Sequence, residues 1–214
     1  MDAILAADEA YACILSEFIE VAIHLVLYVR KIYPPGLFQR RRKYNVPVHI
    51  CAHPELNKYI RRVVDDVKPM LEANQVDHIA IVIKNKENIP VESFVFKTQK
   101  GTANDICSKG FSETLERDLR TLLLKLSGSD SLLSDNPPDS TFSVEVCTSD
   151  TAAASATVAT EQGQQVRLLP LTKCHKQLLQ FLPCETREQI YCRTFLGLWR
   201  MSRTWRSAVK EAGI

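Results

Sequence analysis

The stretch that decides the fold is CILSEFIEVAIHLVLYVRKIYPPGLFQRRRKYNVPV, which runs from Cys13 to Val48. Its first half spaces apolar side chains three and four residues apart, which is the pattern of a helix with one buried face. The residues of this stripe are Leu15, Phe18, Ile19, Ala22, Leu25, Val26 and Val29. Pro34–Gly36 ends the helix, because two prolines and a glycine do not continue it. The sequence therefore predicts one long core helix.

A basic run and a short strand complete this stretch. The run Gln39–Lys43 ends in consecutive cations, and we interpret it as a solvated loop, with recognition by nuclear import as an alternative. Val46, Val48 and Ile50 then occupy alternate positions, which predicts a strand. Pro47 suits the edge of a sheet, because proline donates no ladder hydrogen bond.

Two further helices and three further strands are predicted downstream. A helix begins at Pro54 and carries apolar residues at helical spacing as far as Leu71, with a kink or frayed end expected at Pro69. The other predicted elements are an antiparallel hairpin of residues 78–83 and 91–96, a third helix from Ser112, and a strand of residues 141–146. This order predicts an α+β fold with helices packed on an antiparallel sheet.

The composition excludes several classes of protein. The chain has 214 residues, and its 27 basic and 25 acidic residues give a formal charge of +2. So small a surplus argues against binding nucleic acid through electrostatics alone. No uncharged run is long enough to span a membrane, and the acidic start is unlike a secretory signal. The 7 cysteines are scattered, which favours free thiols on the reducing side of membranes.

No set of residues in the sequence supports catalysis. The neighbouring pairs Cys51–His53 and Cys174–His175 rarely aim both groups at one target, and no cluster has zinc spacing. His24 is interpreted as a partly buried histidine with a backbone or water partner. Phosphate-binding loops and nucleophile elbows are absent from the sequence. We therefore expect no enzyme activity, no cofactor and no metal.

The last third of the chain changes in composition. Residues 148–165 are rich in Ala, Ser, Thr, Gln and Gly, so we expect a mobile linker. Residues 166–171 are apolar again. Beyond them, aromatic residues including Trp199 and Trp205 lie among arginines roughly on a helical face. We expect a docked amphipathic helix or a disordered tail there.

Several strings resemble the HORMA-domain accessory subunits of DNA polymerase zeta, a family similar to the mitotic-checkpoint HORMA adaptors. They are the stretch quoted above, HPELNKYI, VKPMLEANQVDHIAIVI, PVESFVF, LERDLRTLLLKLS, LLSDNPPDSTFSVEV and RLLPL. The resemblance implies a HORMA fold, in which three helices pack on an antiparallel sheet and a C-terminal safety belt follows. The implied organisation is a HORMA domain at 1–185, with core 10–147, linker 148–165 and belt 166–185, and an atypical basic and aromatic extension at 186–214.

The family resemblance also implies a function. In this family the belt closes over a short partner peptide, which adds to a sheet edge as a strand. The chain would thus be a non-enzymatic adaptor that traps a proline-containing peptide of the polymerase zeta catalytic subunit. It would link this subunit to the inserter polymerase of translesion synthesis and to shieldin-type proteins of double-strand-break repair, and it would form a homodimer or a HORMA heterodimer. We expect a nuclear protein, with the cytoplasm as a second location, that binds neither membranes nor nucleic acid directly.

Two other functions stay open at this stage. One is a HORMA adaptor of mitotic-checkpoint signalling, which uses the same capture mechanism with other partners. The other is direct DNA binding through Arg40–Lys43 and the aromatic tail, which would depend steeply on salt.

The resemblance assigns residues that contact partners. Tyr59, in HPELNKYI, matches the aromatic residue that lines the peptide pocket, and a core aromatic is the alternative. Leu168, in RLLPL, matches an apolar residue of the surface that meets the inserter polymerase, with packing of the belt as the alternative. Leu169 and Pro170 belong to the same binding segment. We therefore expect partner peptides to contact these four residues.

A second set of matched residues concerns self-association. Arg120 matches a basic residue at which HORMA proteins of this type dimerise. Arg40 and Ser131 lie at matching neighbouring positions. For an isolated arginine on a helix, a solvated face is the more common explanation.

The chain departs from this family at three places. Between Val146 and Arg167 it is shorter and lacks the Pro-Trp segment that supplies the second aromatic of the peptide pocket. After Leu171 the usual belt strand is replaced by TKCHKQLLQFLPCETREQ, in which Pro183 would interrupt a ladder away from an edge. Residues 190–214 extend past the usual end of the family.

Overall fold

The computed structural model describes residues 2–98, 111–148, 166–170, 189–194 and 197–202, and the side chains of residues 9–98 and 113–148. The chain divides into two compact units. The first contains the described helices and a two-stranded sheet, and the second contains a four-stranded sheet. Several predicted segments lie outside the described residues. They are residues 149–165 of the linker, residues 171–185 of the belt, and residues 186–188, 195–196 and 203–214 of the extension.

Three α-helices form where the apolar stripes predict them. They are α1, Asp2–Val29, α2, Pro54–Glu72, and α3, Phe111–Gly128. α1 begins well before its stripe, because Asp2–Ala12 is rich in alanine, the residue with the highest helix propensity. α2 continues for three residues beyond Pro69 and ends at Glu72. α1 packs against both α2 and α3.

The helix α1 is apolar enough over Glu9–Val29 to cross a membrane by length and composition alone. A buried core helix passes the same test, and 67% of the window is buried inside the protein. Two of its acidic residues form ion pairs within the same unit: Glu17 binds Lys43, and Glu20 lies 3.8 Å from Arg61. Because α1 also contacts α2, α3 and the strand Val46–Cys51, it is the central helix of its unit.

A hairpin of β1, Phe38–Lys43, and β2, Val46–Cys51, packs on the helices through β2. The two strands are antiparallel, from Phe38 opposite Cys51 to Lys43 opposite Val46. The prediction of β2 is confirmed, whereas the interpretation of the basic run as a loop was wrong. β1 forms a strand despite its polar composition because it pairs with β2. The buried side chains of Val46 and Val48 hold β2 in place.

The second unit is a sheet of order β4-β3-β5-β6. Its strands are β3, Val76–Lys84, β4, Pro90–Lys97, β5, Thr141–Thr148, and β6, Val166–Pro170. The first three pair antiparallel, as predicted, but β6 runs parallel to β5. Parallel neighbours need a crossover connection of a dozen residues or more, and residues 149–165 are long enough to provide one. The predicted antiparallel sheet is thus confirmed in β3, β4 and β5, and β6, from the segment predicted as the belt, joins it in parallel.

The tail and one cysteine also differ from expectation. Gln189–Thr194 and Gly197–Ser202 form two paired strands, β7 and β8, instead of a helix. Gly197 disfavours a helix, and the β-branched and aromatic residues around it favour strands. Cys13 and Cys51 are free thiols, as expected. Cys147 is disulfide-bonded, so the expectation of free thiols was wrong there.

Candidate partner-binding site

The strand β6 carries three of the predicted contact residues, and it forms one edge of the sheet. Leu168 lies opposite Val146, Leu169 opposite Cys147 and Pro170 opposite Thr148. The other side of β6 has no neighbouring strand among the described residues. Its backbone N–H and C=O groups on that side can accept an added strand. This edge is the candidate site for an extended peptide.

The position of Pro170 indicates which backbone groups face the open edge. Alternate residues of a strand direct their backbone groups to opposite sides, and proline is tolerated where its nitrogen faces away from the ladder. Pro170 and Leu168 therefore direct their backbone nitrogens to the open edge. Leu169 directs its N–H towards β5. The backbone N–H groups of these two adjacent leucines therefore point to opposite sides of β6.

The ring of Tyr59 lies on the buried face of α2 and is 9% exposed. Burial and the nearby Tyr33 raise the pKa of its hydroxyl to about 12. Tyr33 belongs to the Tyr-Pro-Pro-Gly segment that follows α1, so the hydroxyl groups of two tyrosines lie near each other in the first unit. Tyr59 and β6 belong to different units, and the role of the ring in a peptide pocket stays a prediction.

The three residues assigned to self-association are all exposed in the first unit. Arg40 lies on β1, Arg120 on α3 and Ser131 in the 3-10 turn that follows α3. The Ser131 hydroxyl donates a hydrogen bond to the carbonyl of Gly128. Within the described part of the chain, no ion pair joins either arginine to a carboxylate. Both charges are therefore available to a partner.

A buried arginine fastens the end of α1 to the segment that follows α3. Arg30 is 3% exposed, and its guanidinium donates to Asp130 at 2.8 Å and to the carbonyl of Ser134 at 2.5 Å. The side-chain amide of Asn136 donates to the Arg30 carbonyl at 3.5 Å. The sequence analysis missed this clamp. A usable signal existed, because Arg30 continues the apolar stripe of α1 one turn beyond Val26.

A buried histidine joins α1 to β2. His24 is 1% exposed, and its Nδ1 accepts a hydrogen bond from the backbone N–H of Cys51 at 3.3 Å. Burial, and secondarily the charge of Arg61, lowers its pKa to about 4. The predicted backbone partner of His24 is confirmed, but the side chain is fully buried where partial burial was expected. Among the described residues, no group of three or more histidines, cysteines and carboxylates could hold a metal ion.

Comparison with known proteins gives a consistent result. The model of the HORMA domain matches residues 12–185. The chain is 41% identical over 186 residues to the mitotic spindle assembly checkpoint protein MAD2B of Danio rerio, which covers 80% of this chain and 88% of that protein. It is 48% identical over 144 residues to MAD2B of Gallus gallus, covering 67% and 68%. It is 40% identical over 124 residues to the DNA polymerase zeta processivity subunit of Arabidopsis thaliana, covering 58% and 56%.

Solved structures share the fold of this chain over more than nine-tenths of its length. A chain of the Mitotic Checkpoint Complex superposes with a TM-score of 0.68 at 19% identity, over 92% of this chain and 99% of that chain. HTP-2 of C. elegans bound to the HIM-3 closure motif gives 0.66 at 11% identity, over 94% and 92%. At these identities the likeness concerns the fold alone.

Proposed function

Because this chain belongs to the HORMA domain family, we propose that it is an adaptor that traps a proline-containing peptide of the polymerase zeta catalytic subunit. The relatives named as polymerase zeta processivity subunits support an accessory role without catalysis. The observation that carries the proposal is the open edge of β6, which bears Leu168, Leu169 and Pro170. In this function the adaptor links translesion synthesis to double-strand-break repair factors, and it acts in the nucleus.

The chemistry of β6 favours a trapped strand over a bound charged ligand. Its sequence, VRLLP, holds one cation among apolar residues. An added strand makes main-chain hydrogen bonds, and apolar pockets then select its side chains. Proline in the incoming peptide fits this mode, since alternate positions of a strand at an edge need no donor. Affinity from such contacts depends weakly on salt.

The first experiment measures binding of the full-length protein to a proline-containing peptide from the polymerase zeta catalytic subunit of the same source. Isothermal titration compares the full chain with a chain that stops after Gln165 and so lacks β6 and everything beyond it. We expect tight binding by the full chain and a large loss on truncation. Equal binding by both chains would place the peptide elsewhere, and binding by neither would remove the proposed partner.

Two proline variants test the edge itself. Leu168→Pro removes a backbone donor at the open edge, so we expect the thermal midpoint to stay close to that of the parent while peptide binding weakens. Leu169→Pro removes the donor that faces β5, so we expect lower stability as well. If Leu168→Pro binds the peptide as the parent does, the open edge of β6 is not the binding edge.

A third variant tests the predicted pocket. Tyr59→Ala removes the ring, and loss of an aromatic hot spot costs about 1 to 3 kcal/mol of binding free energy. Leu56→Ala is the matched control, because Leu56 lies one turn earlier on the same buried face of α2. Both changes lower stability, so only a selective loss of binding by Tyr59→Ala supports the pocket. Equal effects of the two variants would assign Tyr59 to the core.

A second candidate function is mitotic-checkpoint signalling. The names of the MAD2B relatives favour it, and the capture mechanism would be the same. Partner identity distinguishes the two functions. Titration of the same protein with a checkpoint closure motif, under the same conditions, should give weaker binding than the polymerase peptide.

A further inference from the structure

The outer edge of β1, which belongs to the first unit, is a second strand edge with no neighbouring strand among the described residues. The β1–β2 connection is a two-residue turn, Tyr44–Asn45, with φ values of 47° and 60°. In such hairpins the flanking pair, here Lys43 and Val46, is hydrogen-bonded, and bonded pairs then alternate along the ladder. The N–H and C=O groups of Phe38, Arg40 and Arg42 therefore point away from β2.

Two hydrogen bonds outside the strands agree with this alternation. The N–H of Ala52 donates to the carbonyl of Leu37 at 2.7 Å, as a bonded pair beyond the first residues of the ladder. The N–H of Cys51 donates to His24 and thus away from β1. Pro47, which has no N–H, lies at an outward position of β2. The N–H of Phe38 is occupied, because it donates to the carbonyl of Pro35. The register of the hairpin therefore leaves the N–H and C=O groups of Arg40 and Arg42 without a backbone partner among the described residues.

The side chains on this edge carry positive charge without compensation. Gln39, Arg40, Arg41 and Arg42 are all exposed, and residues 31–54 contain no acidic residue. Lys43 binds Glu17, but the three arginines have no carboxylate partner among the described residues. Arg41 and Arg42 donate to the side-chain amides of Gln39 and Asn45. Arg40 and Arg42 project from one face of the strand and Arg41 from the other.

The hairpin is held rigidly, which lowers the entropy cost of binding to it. Val48, in the strand β2 of the hairpin, is fully buried. The ring of Tyr28 stacks on His49 with centroids 3.7 Å apart and meets Phe38 edge to face at 5.4 Å. The carboxylate of Glu17 binds the turn through Lys43 and Tyr44.

We propose that the outer edge of β1 binds an acidic, extended segment of a partner protein as an added β-strand. The open backbone groups supply ladder hydrogen bonds, and cross-strand neighbours on both faces pair carboxylates with Arg40, Arg41 and Arg42. A peptide strand fits better than DNA, because phosphates on one surface would meet cations from only one face of the strand. Charged residues on an edge strand also prevent edge-to-edge aggregation. The experiment must therefore show that the β1 edge binds a peptide.

The test uses the full-length protein and a fluorescein-labelled peptide in which an Asp-Glu-Asp-Glu run lies between threonines and valines. Fluorescence anisotropy compares it with an Asn-Gln-Asn-Gln peptide and with an acidic peptide that has proline at alternate positions. We expect both comparison peptides to bind about tenfold more weakly or worse, since each lacks charge or ladder donors. Affinity of the acidic peptide should fall as salt rises from about 50 to 300 mM.

Matched variants locate the site. Arg40→Gln combined with Arg42→Gln should weaken the acidic peptide by about tenfold or more. Lys58→Gln combined with Arg62→Gln removes the same charge from the exposed side of α2 and should change affinity less than about twofold. The proposal is overturned if the two double variants lose affinity equally, if the acidic peptide does not bind, or if the neutral peptide binds as well. Tighter binding of a DNA duplex, unaffected by proline in the competing peptide, would assign the edge to nucleic acid.

Discussion

Protonation of His24 should destabilise this protein as the pH falls below about 7. The imidazole is 1% exposed, and its Nδ1 is occupied by the Cys51 N–H. Its Nε2 is also buried, with no hydrogen-bond partner among the described residues. A second proton would have to enter at Nδ1, where it would face the Cys51 donor, and its charge would lie beside that of Arg61. The folded state therefore holds His24 neutral.

The sign and size of the effect follow from the shift. The pKa of His24 falls from 6.5 to about 4 on folding, so between those values the unfolded chain binds a proton that the folded chain excludes. Stability is thus complete above about pH 7 and declines as pH falls towards about 4. The full shift corresponds to about 3 kcal/mol of unfolding free energy, of which about 2 kcal/mol is lost between about pH 7 and pH 5.

Urea unfolding of the parent and of His24→Gln, at about pH 7 and pH 5, measures this directly. Glutamine can still accept from the Cys51 N–H but does not titrate, so the variant should lose about 2 kcal/mol less than the parent over this interval. His53→Gln, at an exposed position, should keep the parent's dependence on pH. An equal loss of stability in the parent and in His24→Gln would refute the reasoning.

Two further predictions concern stability, measured by denaturant unfolding. Asp130→Asn should lower the free energy of unfolding by about 1 to 3 kcal/mol, because it removes the charge of the partly exposed carboxylate that binds buried Arg30. Asp135→Asn, at an exposed position, should lower it by less than about 0.5 kcal/mol. Equal losses in the two variants would contradict the clamp. Leu123→Ala should lower the free energy of unfolding by about 2 to 5 kcal/mol, because the Leu123 side chain is fully buried. Leu124 is 52% exposed, so Leu124→Ala should be almost neutral. Similar losses in the two variants would show that the buried face of α3 is wrongly assigned.

Periodicity predicted the elements that have one buried face. The stripe of α1 from Leu15 to Val26 and the alternation of β2 and β5 each state which side chains are buried, and burial determines the element. The loop of the β3–β4 hairpin was also predictable, since Asn85 accepts from the N–H groups of Glu87 and Ile89 and Asn88 has a positive φ.

Elements without a buried stripe were not predictable in this way. Nothing in Gln39–Lys43 signals a strand, because β1 exists by pairing with an anchored neighbour. Nothing in residues 166–170 states whether β6 runs parallel or antiparallel, because direction follows from the connection and not from the strand. The binding edges depend on these two strands. Locating the candidate binding edges therefore required the strand pairing seen in the structure, whereas the core residues could be predicted from the sequence pattern.

The chemistry of the two open edges bears on how an adaptor of this kind would keep its partners apart. A protein that only traps one peptide links nothing, so linkage needs a second surface with different selectivity. VRLLP in β6 would select apolar and proline side chains, whereas Arg40–Arg42 in β1 would select carboxylates. A segment suited to one edge leaves unpaired charge or buried polar groups at the other, and this mismatch penalises exchange. Salt should therefore weaken the β1 partner while leaving the β6 partner bound.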